Sequence, residues 1–144
     1  MKMEINMKYE ITTIEHPVHT ELRRIRALVN VGADVKAGDL GGYVENAYNL
    51  SQRGTCWVYN DAMMFDNSMM LNNAMMRDDS VMRDNSTMFD DSMMRDNSMM
   101  FDKSMMRDYS VMRDYSVMRD NSQMRGDAVM RGNEVLSGDR VLGG

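Results

Sequence analysis

The sequence predicts an all-β fold, a parallel β-solenoid of about five triangular coils standing behind an N-terminal β-rich cap. Three observations predict it. A six-residue unit runs without a slip from Ala62 to the C-terminal end, as AMMFDN SMMLNN AMMRDD SVMRDN STMFDD SMMRDN SMMFDK SMMRDY SVMRDY SVMRDN SQMRGD AVMRGN EVLSGD RVLGG. The third place of each unit is Met or Leu, and the fifth is Asp, Asn or Gly. A period of six fits neither the 3.6 of a helix nor a domain with a varied core, and it is a signature of stacked coils.

Residues 1–54 read as the cap. The runs KYEITTIE and LRRIRALVNV interleave β-branched or apolar residues with polar ones, as half-buried strands do, and His16-Pro17 falls in the connection between them. Gly32, Gly38, Gly41 and Gly42 then mark successive tight turns. The repeat register begins near Trp57-Val58-Tyr59, since Val58 stands six residues before Met64, and residues 55–144 are assigned to the solenoid. A solenoid needs its first coil covered, which gives the preceding segment its role.

Inside a unit such as Ser92-Met93-Met94-Arg95-Asp96-Asn97, four residues form a short strand and two form a turn. Alternation sends Ser92 and Met94 to one side and Met93 and Arg95 to the other. The third-place column never admits a charge and the first place is Ala or Ser in all but the last two units, so that side is the interior. Asp and Asn suit the turn because they tolerate left-handed φ and bond nearby amides, and Gly at 126, 132 and 138 meets the same demand. Stacking places Asp over Asp about 4.8 Å apart, a ladder that repels itself unless backbone amides bind it. A uniform Met column also raises soft-metal binding. Core filling by an unbranched, polarizable side chain explains it better, and no metal or cofactor is expected.

The chain has 144 residues, a formal net charge of −5 and a single Cys. One Cys excludes an internal disulfide framework and a paired-Cys metal knuckle, which points to a reducing compartment. The start MKMEINMKYE lacks the apolar stretch of a signal peptide, and no later segment approaches a membrane span. A cytoplasmic protein is expected.

The cap carries a family likeness. Arg24-Ile25-Arg26-Ala27-Leu28, the run Asp34-Val35-Lys36-Ala37-Gly38-Asp39-Leu40-Gly41-Gly42-Tyr43-Val44-Glu45, Asn49-Leu50-Ser51 and Cys56-Trp57-Val58-Tyr59 precede the repeats. Together they resemble phage and prophage hexapeptide-repeat proteins whose usual unit is of the type GNARVY. Gly126-Asp127-Ala128-Val129-Met130-Arg131 keeps that form. The resemblance spans residues 23–144 and implies a left-handed parallel β-helix in a bacterial host cell, without implying an activity. The middle units depart from it by placing Asp where Gly is usual and Met where Val is usual, a changed surface on a kept scaffold.

Acyl transfer, the work of many hexapeptide-repeat enzymes, needs a general base that is often His. His16 and His19 are the only histidines and both fall in the cap. The zinc site of the carbonic anhydrases that resemble these rods takes three. No enzyme is therefore expected, with an acyltransferase-like protein the remaining catalytic alternative. Ice binding asks for Thr ladders, and Thr87 stands alone in the repeats. Mimicry of nucleic acid needs a dense acidic surface. From Ala62 to Lys103 eight Asp face four basic residues, whereas from Ser104 onward six acids are matched by six bases.

A protein-binding solenoid accounts for more of the pattern. Its expected contact residues are Met63, Phe65, Met69, Leu71, Phe89, Met99 and Phe101, with Arg77, Arg95 and Arg113, because exposed Met, Phe and Arg are enriched at interfaces. In the phage setting the partner is a host or phage protein, and inhibition of a host defence complex of CRISPR or nuclease type is the concrete form expected. A structural virion or tail rod is the rival. Direct nucleic-acid binding and membrane contact are not expected. Met130, Leu136 and Leu142 in the final coils are expected to lie open to water and to support a homodimer.

Overall fold

The chain is described over residues 7–143 by a computed structural model. The opening MKMEIN, which bears on the reading of a leader, and Gly144 lie outside these residues. Two antiparallel pairings build the cap: β1 (Tyr9–Glu15) pairs with β2 (Arg23–Ala27), and β2 with β3 (Leu40–Val44). From there the chain winds as a prism. The first face continues β3 in parallel through β5 (Met63–Met64), β8 (Val81–Met82), β11 (Met99–Met100), β14 (Val117–Met118) and β17 (Val135–Leu136). The second holds β6 (Met69–Met70), β9 (Thr87–Met88), β12 (Met105–Met106), β15 (Gln123–Met124) and β18 (Val141–Leu142). The third holds β4 (Trp57–Val58), β7 (Met75–Met76), β10 (Met93–Met94), β13 (Val111–Met112) and β16 (Val129–Met130). Residues eighteen apart stack directly, as Met93 on Val111 and Met94 on Met112.

Side-chain size and direction explain the prism. Each third-place Met points to the axis, and Met64 through Met124 are fully buried. The small first-place residue turns the corner: Ser98 is buried, and its hydroxyl donates to the Arg95 carbonyl at 2.9 Å while its amide donates to the same oxygen at 3.3 Å. From Ala62 to Ser122 this place is fully buried and holds only Ser or, without the hydroxyl, Ala at 62 and 74, whereas the larger Glu134 and Arg140 of the last two units are exposed.

The fifth place is where the Asp ladder acquires its purpose. Asn60 and Asp66 through Asp120 all hold φ near +60°, in the left-handed region that Asp and Asn tolerate. Each side chain then accepts the fifth-place amide of the next coil, as Asp84 Oδ2 from Asp102 N at 3.0 Å and Asp102 Oδ2 from Asp120 N at 2.9 Å. These amides point away from the strand ladders, so the carboxylate column satisfies a donor that the backbone leaves unpaired. The coil with Gly126, Gly132 and Gly138 accepts no such bond onward, but its amides are taken by Asp108, Asp114 and Asp120. Repulsion along the column is thus offset by amide dipoles.

Winding starts earlier than expected. Tyr43-Val44 already pairs with Met63-Met64, Leu50 bridges to Met70 and Trp57-Val58 pairs with Met75-Met76, which makes about six turns and moves the start of the solenoid from residue 55 to Tyr43. Leu50 keeps the six-residue step from Val44, but Val58 follows it by eight, and the loop at 51–56 conceals this first turn in the sequence. Gly41 and Gly42 also lie inside β3 rather than in turns. A Cβ at Gly41 would stand 2.7 Å from the Val58 carbonyl, and one at Gly42 2.6 Å from that of Ala62, so strand and first turn meet only without side chains.

The cap closes the prism with buried contacts. Tyr9 packs edge-on against Trp57 with ring centres 6.3 Å apart and donates its hydroxyl to the Leu50 carbonyl. Ile25, Ala27 and Val44 complete the cover over Val58 and Met64. Lys8 is drawn in beside Cys56, donating to its carbonyl at 2.8 Å and its Sγ at 3.3 Å.

Candidate functional site

With cores alike on every face, function rests on the second and fourth places, which point outward. On the third face the fourth-place column reads Tyr59, Arg77, Arg95, Arg113, Arg131, beside the second-place column Trp57, Met75, Met93, Val111, Val129. The expected residues Arg77, Arg95 and Arg113 are therefore brought together in one ladder. Arg77 is engaged by the cap: its guanidinium lies 4.2 Å from the Tyr59 ring centre and 3.8 Å from the Asp34 carboxylate. Burial pushes the Tyr59 phenol up, against the opposing pull of Arg77.

Below Arg77 the engagement weakens to the 4.0 Å approach of Asp114 to Arg113. The Nε atoms of Arg95 and Arg113 are covered and make no hydrogen bond, and the carboxylate of Asp114 is 4.0 Å from Arg113 Nε, too far for one. Arg95, Arg113 and Arg131 line one wall of a shallow groove, and Met93, Val111 and Val129 line the other. Like charges stacked about 4.8 Å apart with unpaired donors form a surface that a negative group would stabilise.

The other expected contact residues do not join this patch. Phe65, expected at the surface, is only 3% exposed. The β1–β2 connection folds over it: the His19 ring meets it edge-on at 5.1 Å, Leu22 and Val81 pack against it, and the Arg83 guanidinium sits 4.2 Å from its centre. Phe65 is thus a cap-anchoring residue, and Met63 and Met99 pack against the same cluster. Phe101 is half-buried further along the first face, and Met69, Leu71 and Phe89 are half-buried on the second. The outward methionines Met63, Met69 and Met99 are half-buried, short of the full exposure expected of them. Met130 and Leu136, expected to be open to water, are 2% and 5% exposed, because third-place side chains point to the axis and pack within their own coil; only Leu142 is partly open.

Two exposed aromatics of the repeats escaped the sequence reading. Tyr109 and Tyr115 replace Asn or Asp at the sixth place of successive units and stand 64% and 63% exposed at neighbouring corners. Their signal was the paired SMMRDY SVMRDY, where a turn residue gives way to a large ring. Tyr115 follows Arg113 at the edge of the third face.

The titratable groups of the cap are occupied structurally. His16 Nδ1 accepts from the amides of Val18 and His19 at 3.1 and 3.0 Å, and its ring meets Tyr43 at 4.7 Å. Burial, followed by the neighbouring His19, pushes its pKa down. Burial likewise pushes Lys8 down and the Cys56 thiol up, each partly opposed by the other, so Cys56 is held as the less nucleophilic thiol. Among the described residues no group of three His, Cys, Asp or Glu is placed to hold a metal, and no helix is long and apolar enough to cross a membrane.

The fold and its outward columns define a class, the parallel β-helix that displays side-chain ladders. No protein-family model matches the chain, and no curated protein compared with it matches.

Proposed function

We propose that this chain is a non-enzymatic, protein-binding solenoid that acts in the bacterial cytoplasm as a phage-type inhibitor of a host defence complex. The observation that carries the binding role is the arginine ladder of the third face, whose Arg95 and Arg113 Nε donors make no hydrogen bond among the described residues. An unpaired buried donor costs about 1–3 kcal/mol, which an acidic partner group recovers on binding once the side chain turns that donor outward. The adjoining apolar wall of Met93, Val111 and Val129 adds area that association removes from water. The phage setting rests on the resemblance of the cap and repeat. The acidic corners contribute less to this reading, since one oxygen of each fifth-place carboxylate from Asp66 to Asp120 is committed to an amide of the next coil.

The test is a plating assay in bacteria that restrict phage through a defined CRISPR or nuclease system. Expression of the intact chain is expected to restore plaque formation, and the charge reversal Arg95→Glu with Arg113→Glu to abolish that restoration while the protein stays folded. Failure to restore plating across the systems tried, with the chain recovered at stoichiometric level in purified particles, overturns the inhibitor reading in favour of a structural virion rod.

A further inference from the structure

The spacing of the ladder selects the shape of what covers it. Arg95, Arg113 and Arg131 repeat at the coil separation of about 4.8 Å, so three rungs span about 9.6 Å along the rod. The apolar column runs parallel, two strand residues away, or about 7 Å. Beyond the arginines lie the corner carboxylates Asp96 and Asp114, so the arginine stripe has an apolar stripe on one side and negative charge on the other.

Two extended stripes at this spacing do not suit a partner strand laid along the rod. Its same-side residues recur every 6.6–6.8 Å or so, and over two intervals it overshoots the ladder by almost a full rung. An α-helix fits: at about 1.5 Å per residue, positions i, i+4 and i+7 lie about 6 and 10.5 Å along the axis. The accumulated misfit is about 1 Å, which arginine side chains absorb. The same helix sets an apolar stripe next to its acidic one, matching Met93, Val111 and Val129. Duplex nucleic acid supplies a charge every 3.4 Å or so per strand and nothing apolar for that wall, and it meets the corner carboxylates unfavourably.

We infer that the third face, between Met93 and Arg131, binds an amphipathic α-helix of the partner protein lying parallel to the rod, with one carboxylate per turn on Arg95, Arg113 and Arg131 and its apolar stripe on Met93, Val111 and Val129. This deepens the protein-binding reading above and rests on it for the identity of the partner as a protein. Incoming carboxylates would meet the Nη groups first, and a turn of the Arg95 and Arg113 side chains would then bring the covered Nε atoms into side-on pairing and supply the acceptors they lack.

The experiment is a fluorescence-anisotropy titration of the intact chain against three labelled probes. The first is a side-chain-stapled helical peptide with one glutamate per turn beside a leucine stripe. The second has the same composition with glutamates scattered round the helix, and the third is a DNA duplex. The striped peptide is expected to bind at least about tenfold tighter than the scattered one, a difference of about 1.4 kcal/mol. Arg95→Gln with Arg113→Gln is expected to remove that preference, while Arg107→Gln with Arg125→Gln on the second face leaves it intact. Far-UV circular dichroism and melting of each variant confirm that the rod persists. Equal binding of the two peptides, binding of neither, tighter binding of DNA, or indifference to the third-face pair overturns the inference. The two readings separate cleanly. A chain that restores plaque formation but ignores the striped peptide keeps the inhibitor reading and loses the helix, whereas one that binds the peptide at the third face without restoring plaques keeps the helix and loses the inhibitor.

Discussion

Replacing Asp102 isolates what a single corner carboxylate does. Asp102 holds φ +59°, accepts the Asp120 amide at 2.9 Å and donates its own amide to Asp84 at 3.0 Å. A hydrogen bond to a charged group contributes about 1.5–3 kcal/mol, and exposure places this one near about 2. Against it stands repulsion from Asp84 and Asp120 one coil away on either side, about 1 kcal/mol per pair in water and less in salt. An alanine loses the bond, relieves the repulsion and takes on about 1–2 kcal/mol for left-handed φ, a net loss of about 2 kcal/mol. Glycine avoids that strain and loses about 1 kcal/mol. Asparagine keeps an acceptor and the conformational tolerance while shedding the repelling charge, and is expected within about 1 kcal/mol of the parent. Guanidinium unfolding followed by far-UV circular dichroism measures the series, and the single Trp57 reports the first turn separately. An Asp102→Ala protein as stable as Asp102→Asn refutes the reasoning, because neither the rung nor the φ demand would then carry energy.

Three further outcomes are expected. Met100, fully buried in a column that accepts Leu at 136, should lose about 2–5 kcal/mol as Met100→Ala but less than about 1.5 as Met100→Leu, read by thermal melts. His16, whose folded pKa is pushed below its ordinary value, stabilises the β1–β2 connection fully above about pH 6.5 and loses that stabilisation as pH falls through the folded value; hydrogen exchange at the Val18 and His19 amides should then accelerate beyond its intrinsic pH trend, and unchanged protection would contradict the Nδ1 acceptor role. Tyr9, its pKa pushed up from 10.0 to about 12 by burial, prefers the neutral form when folded, so stability is constant below pH 10 and falls between 10 and about 12. The loss approaches about 3 kcal/mol, and Tyr9→Phe should flatten this part of the alkaline unfolding curve.

The repeat made the prism legible because a buried column tolerates so little. Charge never enters the third place, and before the last two units only Ala or Ser turns the first-place corner, so alternation identified the inside from Ala62 onward. The first turn was hidden because Val44 and Leu50 keep the six-residue step while the loop at 51–56 puts Val58 eight residues on, and the residues around them do not repeat the unit. The candidate site was legible only where periodicity reaches the surface, as in the stacking of Arg77, Arg95 and Arg113 at eighteen-residue separation. Phe65 was misplaced because its burial comes from His19 and Leu22, residues remote in sequence whose loop carries no repeat. The unpaired Nε atoms had no sequence signal at all, since they follow from side-chain placement that the repeat does not specify.

The difference between the six-residue unit and the eighteen-residue turn bears on how such a gene tolerates changes in length. Losing one whole turn shortens the rod and leaves every surface column in line. Losing a single unit, for example residues 86–91, also leaves methionine over methionine at the axis, because the three faces have interchangeable interiors. The outside is not interchangeable. The segment after the loss advances by one face, and Phe101 and Arg119 come to stand beneath Arg77 where Arg95 and Arg113 had been. Replication slippage at these tandem units therefore yields products that fold alike and display different surfaces, with folding indifferent to the count of units and recognition sensitive to that count modulo three.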